Sequence, residues 1–142
     1  MHTLPCPTVE EILSFMSKAS EEDLSLVKKA YLFAEKAHEG QKRRSGEPYF
    51  CHVACTAYNL ATINMDAIVV TAGLLHDAIE DAGVSPKIIE KEFGKTVRSL
   101  VEGVTKLGTL KYRGVERHVE SLRKFFIAVA DDIRVLIIKL AD

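Results

Sequence analysis

The chain has 142 residues, enough for one domain with a sizeable core and no need of cross-links. Its formal net charge is −1 and its pI about 6.5, which removes any global electrostatic case for nucleic acid or a membrane surface. Three cysteines, an odd number, argue against a disulfide framework and for a reducing, cytoplasmic setting. No basic region followed by an apolar stretch opens the chain, so no signal peptide is expected. The longest nearly apolar run, Ala67 to Leu75, is too short to span a bilayer.

Helical signals dominate from the start. Thr8 with Glu11 reads as a capping box opening a short helix to about Ser17. Ser20 with Asp23 opens a second, in which Leu24, Val27, Tyr31, Ala34 and His38 recur at three to four residues until Gly40 ends it. Residues 41–48 are polar and basic, with Ser45-Gly46-Glu47-Pro48, and read as a loop. The spacing predicts helices over Tyr49 to Thr62 and, capped by Asp66, to about Asp81. Gly83 breaks the latter. Ser85-Pro86 restarts a helix, with Ser as cap and Pro in its first turn. Phe93-Gly94 marks a corner, and Thr96 to Leu107 places Val97, Leu100, Val101 and Val104 on one face. Gly108 to Gly114 is a polar connector, and Val115 to Ala130 and Asp132 to Asp142 complete the set. Ile133 to Leu140 is rich in β-branched residues. It is read as helix because no partner strand is evident, and a lone strand leaves its backbone groups unpaired. The fold expected is all-α, a bundle of about eight helices.

Chemistry concentrates at His76-Asp77, which interrupt an apolar run and are followed by Glu80-Asp81. A buried imidazole or carboxylate must be paired or metal-bound. On one helix His76 and Asp77 point about 100° apart, and Glu80 and Asp81 each follow four residues later, so all four can line one wall. A hydrogen-bonded buried pair is the competing reading of His76-Asp77. Adding His52 and Asp142 gives two imidazoles and two carboxylates, a mixed N/O set that suits Mn²⁺ or Fe²⁺ better than thiolate-rich zinc sites. Glu80 and Asp81 fall at the unfavourable C-terminal pole of the expected helix; beside the reading of a solvated helix end stands the functional one, in which one of them orients or deprotonates the attacking water. Lys42-Arg43-Arg44 alone would read as a solvated loop, but its place before Ser45-Gly46 and His52 favours the same cleft, where it would contact phosphate or a base. Cys51 and Cys55, with no second pair to match them, are read as structural thiols. His38 and His118 are read as structural or surface residues.

A histidine, then His-Asp on a later helix, then Asp resembles the HD-domain metal-dependent phosphohydrolases. Longer strings are more specific. Gly40 to Tyr49 with His52, and Gly73-Leu74-Leu75-His76-Asp77-Ala78-Ile79-Glu80-Asp81, resemble the hydrolase domain of the RelA/SpoT family. Phe93-Gly94, Val101 to Leu107, Leu122-Arg123-Lys124 and Asp132 to Asp142 look like its later segments, so the likeness runs from about Glu21 onward. The resemblance implies an HD-domain helical bundle that removes, with Mn²⁺, the 3′-pyrophosphate of guanosine tetra- and pentaphosphate, the stringent-response alarmones. It implies His52, His76, Asp77 and Asp142 as metal ligands, and Glu80 and Asp81 as the pair that activates water. Arg43, Arg44 and Ser45 would hold the nucleotide, with Arg43 on the guanine face.

The family has Pro after its first histidine where this chain has Val53, which alters helix entry more than metal chemistry. The chain stops in an apolar helix at Asp142, so residues 1–142 are expected to be an N-terminal HD hydrolase domain cut at its C-terminal side, with the synthetase domain absent. Asp142 is then expected to fray, and the piece to fold but to hydrolyse poorly. Two alternatives remain at this point: an HD phosphohydrolase acting on another nucleotide, and a non-catalytic regulatory HD domain.

Overall fold

The computed structural model describes residues 6–108, 123 and 132–142. Among these, eight helices follow in order: α1 Val9–Ser14, α2 Glu21–Ala37, α3 Tyr49–Thr62, α4 Ala67–Leu75, α5 Ala78–Ala82, α6 Pro86–Phe93, α7 Lys95–Gly108 and α8 Ile133–Ala141. No strand occurs among the described residues; an isolated bridge pairs Lys42 with Pro48. The all-α expectation therefore holds. No helix among them is long and apolar enough to cross a membrane. Gly108 closes α7, and Arg123 is helical. The rest of the expected connector, of the helix over Val115 to Ala130, and His118 lie outside the described residues.

The caps read from the sequence are formed. Thr8 and Glu11 make a reciprocal capping box on α1. Ser20, Asp66 and Ser85 each accept a backbone N–H in the first turn of α2, α4 and α6. Asp132 does the same for α8, which confirms helix over Ile133–Ala141 despite its β-branched content.

Helix α4 is the hub. It is apolar on every side, and only Ile68 of its nine residues is not fully buried. A helix without a polar face must be enclosed; α4 packs against α2, α3, α7 and α8. At Gly73 it approaches α3 so closely that a Cβ would stand 2.5 Å from Leu60 Cδ1. The core runs from Ile12 on α1 through Val53 and Leu60 on α3, Leu74 and Leu75 on α4 and Leu100 on α7 to Ile138 on α8.

One expected helix is in fact two. The helix opened by Asp66 stops at Leu75 instead of running on to Asp81. His76 and Asp77 form a turn, and α5 begins at Ala78. Asp77 sits at φ −102°, ψ 1°, where the helical ladder lapses, and its side chain caps nothing. The break moves Glu80 and Asp81 from the end of a long helix into the first turn of a short one. That is the pole where carboxylates are favoured, so the dipole argument for their function falls away.

Candidate metal centre

Three segments bring the site together. His52 lies in the first turn of α3, His76 and Asp77 at the α4–α5 break, and Asp142 just past α8. One ligand atom from each lies within 4.8 Å of all the others. Atoms each about 2.0–2.2 Å from one centre stand no more than ~4.4 Å apart, so the cluster needs only a small contraction to share an ion. His52 Nε2 contacts Asp142 Oδ1, and His76 Nε2 lies 3.0 Å from Asp77 Oδ2 and 3.2 Å from Asp142 Oδ1. Two aspartates match the charge of a divalent cation, and the donors are nitrogen and oxygen alone. The three cysteines are free, half-buried and outside the cluster.

His76 is the most enclosed member, with 1% of its side chain exposed. Its Nδ1–H donates to the Gly73 carbonyl at 2.6 Å, which directs Nε2 into the site. Burial alone would lower this imidazole's pKa. Hydrogen bonds with Asp142 and Asp77 outweigh it and push the pKa up to about 10. Burial likewise opposes ionisation of Asp77, yet the His76 and Tyr49 hydrogen bonds hold its carboxyl below the usual range. Asp142 is held well below that range, against burial, by His52, His76 and Lys139. A cluster that favours two carboxylates beside imidazole nitrogens is chemically suited to a cation.

Asp142, expected to fray, has partners for both its backbone and its side chain. Its N–H bonds the Ile138 carbonyl, and its second carboxylate oxygen lies 3.2 Å from Lys139 Nζ. Asn59 Nδ2 on α3 donates to the Ala141 carbonyl at 3.2 Å, tying the last turn of α8 beside His52.

The remaining predicted residues lie around this cluster. Asp81 is exposed but restrained: its Oδ2 accepts from the Tyr49 hydroxyl at 3.0 Å. The same hydroxyl lies 2.8 Å from Asp77 Oδ2. Glu80 is exposed, one residue away on α5. Arg43, Arg44 and Ser45 are exposed at the tip of a small hairpin, in which Gly46 N–H bonds the Arg43 carbonyl and Arg43 N–H the Glu47 carbonyl. The base of that hairpin reaches the site: Gln41 Nε2 donates to the Asp81 carbonyl at 2.8 Å, and Tyr49 follows directly. Sequence reasoning singles out none of Tyr49, Gln41, Asn59 and Lys139 as individual residues. Tyr49 carries a signal nonetheless, since it stands three residues before His52 and therefore on the same helix face.

Residues 30–142 match the HD domain family, and the chain belongs to it. HD hydrolase domains bind divalent metals, and the His52–His76–Asp77–Asp142 group is where this chain can hold one. Within that family its likeness is to the RelA/SpoT proteins. It is 47% identical over 123 residues to the bifunctional (p)ppGpp synthase/hydrolase SpoT of Escherichia coli K12, covering 86% of this chain and 18% of that protein. It is 41% identical over 134 residues to the guanosine-3′,5′-bis(diphosphate) 3′-pyrophosphohydrolase of Aquifex aeolicus, covering 94% of this chain and 18% of that protein. Against the GTP pyrophosphokinase of Streptomyces coelicolor it is 41% identical over 140 residues, 96% of this chain and 16% of that protein. The chain thus spans less than a fifth of the length of these relatives.

Proposed function

We propose that this chain is a hydrolase domain that removes the 3′-pyrophosphate of guanosine tetra- and pentaphosphate, giving GDP or GTP, with Mn²⁺ at the His/Asp cluster. The observation that carries the reading is the convergence of His52, His76, Asp77 and Asp142, with Asp81 fastened beside them. Relatives named as (p)ppGpp hydrolases support the substrate class. Net charge and free thiols are in keeping with a cytoplasmic enzyme of small nucleotides.

His52, His76, Asp77 and Asp142 would hold the cation. When bound, it supplies Lewis-acid stabilisation of charge on a phosphoryl oxygen and makes water more acidic. Asp81 and Glu80 take the proton from the attacking water, Asp81 being the better placed because Tyr49 and Gln41 fix it. The water oxygen bonds to the phosphorus on the 3′-oxygen as that P–O bond breaks, the proton taken from water passes to the 3′-oxygen, and pyrophosphate and a nucleotide with a free 3′-hydroxyl are released. Arg43 stacks on guanine, and Arg44 and Ser45 hold phosphate oxygens. The exposed hairpin tip leaves these three side chains free to meet a ligand.

The test is a Mn²⁺ titration of the protein against a panel of guanosine tetraphosphate, deoxynucleoside triphosphates and cyclic dinucleotides. Mn²⁺-dependent release of pyrophosphate from guanosine tetraphosphate alone is expected. Turnover of another panel member in its place would transfer the site to that substrate. Metal binding with no turnover of any would favour a regulatory domain.

A further inference from the structure

We propose that Tyr49 is a positioning residue whose hydroxyl holds the Asp81 carboxylate against Asp77, so that Asp81 stays within reach of the metal cluster. The inference rests on the function proposed above and adds a residue to it. Its ground is a single oxygen placed 2.8 Å from Asp77 Oδ2 and 3.0 Å from Asp81 Oδ2. Asp77 Oδ2 is also the oxygen that faces His76 Nε2 at 3.0 Å. A phenol carries one proton, so it bridges these two acceptors as a shared donor and is the direct link between the cluster and Asp81.

Asp81 needs such a link. It is exposed, on a helix of only five residues that follows the break at His76-Asp77. A carboxylate there would otherwise turn out to water. The surroundings show that Tyr49 is itself held. Its ring packs at 5.1 Å between centroids on His38, tilted by 33°, and meets His52 edge-on at 5.7 Å. Its backbone N–H bonds the Gln41 carbonyl.

A second tether acts on the same residue from its backbone. His38 is 1% exposed, and its Nδ1 lies 2.9 Å from Gln41 Oε1. Gln41 in turn donates to the Asp81 carbonyl. That fixes the amide: its oxygen accepts from His38 Nδ1–H while its nitrogen serves Asp81. Thus the α2 end, the hairpin base and the α3 start all converge on one residue of α5. Tyr49 is the member that reaches the carboxylate.

The test removes only the hydroxyl. Tyr49→Phe keeps the ring between His38 and His52. In the metal-free protein, ¹³C carboxyl resonances of Asp77 and Asp81, assigned with Asp77→Asn and Asp81→Asn, are both expected to move in Tyr49→Phe. In the Mn²⁺-loaded protein with guanosine tetraphosphate, kcat should fall on the order of 10–100-fold, the range for loss of a supporting hydrogen bond, with KM within about twofold. Mn²⁺ affinity measured without nucleotide should stay within about threefold. Tyr49→Phe added to Asp81→Asn should cost less than it does in the wild type, since the hydroxyl acts chiefly through that carboxylate. An unmoved Asp81 resonance, or losses that multiply in the double variant, would overturn the role of Tyr49. The resonances are read without substrate, so a wild-type protein inactive on guanosine tetraphosphate would count against the proposed function while the resonances still decide the role of Tyr49.

Discussion

Gly103 is far from any metal ligand in sequence, yet replacing it with alanine should weaken metal binding. Helix α7 packs against α8, and at this contact a Cβ on residue 103 would stand 2.7 Å from Val135 Cγ2 and 3.4 Å from Cγ1. Carbon atoms in contact need about 3.5 Å, so Val135 must retreat by ~0.8 Å. Rotation is disfavoured, because valine in a helix strongly prefers one χ1 rotamer. The helix itself must shift, and α8 is the element that delivers Asp142 to His52 and His76. Two energies oppose each other in the folded state. Alanine for glycine in a helix interior gains about 1 kcal/mol. Overpacking costs about 1–3 kcal/mol. The net loss of about 0–2 kcal/mol lowers Tm by only a few degrees. Metal binding should suffer more, since a ligand displaced by most of an ångström loses its geometry; Mn²⁺ affinity should drop on the order of 10–100-fold. Calorimetric titration with Mn²⁺ alone, beside a thermal melt, separates the two effects. Pairing Gly103→Ala with Val135→Ala should restore affinity. A folded Gly103→Ala protein that binds Mn²⁺ as the wild type does would refute the claim that α8 packing sets the position of Asp142.

Two further outcomes are expected. Asp81→Asn and Glu80→Gln should each lower turnover strongly, by about 100-fold or more for a lost acid–base group, with Mn²⁺ affinity little changed; loss of metal from either variant would make that residue a ligand instead. Partial burial, reinforced by the Cys51 hydrogen bond, pushes the Cys6 thiol up to about 12, so native Cys6 should react with iodoacetamide at pH 8 more slowly than in the unfolded chain, and equal rates would contradict that environment.

Much of the fold could be read because its signals are local. Caps at Thr8, Ser20, Asp66 and Ser85 act within one turn, and each helix begins where its cap stands. Helix α3 spans the residues that its spacing indicated. The element that escaped was the break at His76-Asp77. Nothing local forbids helix there: no proline or glycine intervenes between Leu74 and Asp81. The interruption answers tertiary demands. His76 is committed to the Gly73 carbonyl on one nitrogen and to the carboxylates on the other, and Asp77 must turn its side chain to the same point. A continuous helix would have spread the two by about 100°.

The site follows the same division. His76 and Asp77 were legible because ionisable groups inside an apolar run demand a partner, whereas His52 stood out only in their company; each of the three lies beside a carboxylate or imidazole of the cluster. Asp142 was legible only as the end of a string that the RelA/SpoT family shares. Whether it would be held depended on contacts 82 and 66 positions apart in the chain, Asn59 to Ala141 and His76 to Asp142, which no periodicity encodes. The same limit hid Tyr49. Its hydroxyl is 28 positions from Asp77 and 32 from Asp81, and only the break after Leu75 turns both carboxylates towards it. The expectation that Glu80 and Asp81 sit on an unfavourable helix pole was wrong for this reason, although one of the pair, Asp81, does lie beside the cluster. What ties Asp81 there is the Tyr49 hydroxyl and the Gln41 amide, so the α4–α5 break and the hairpin base act together: one frees the carboxylates from helical register, and the other gives Asp81 a fixed place.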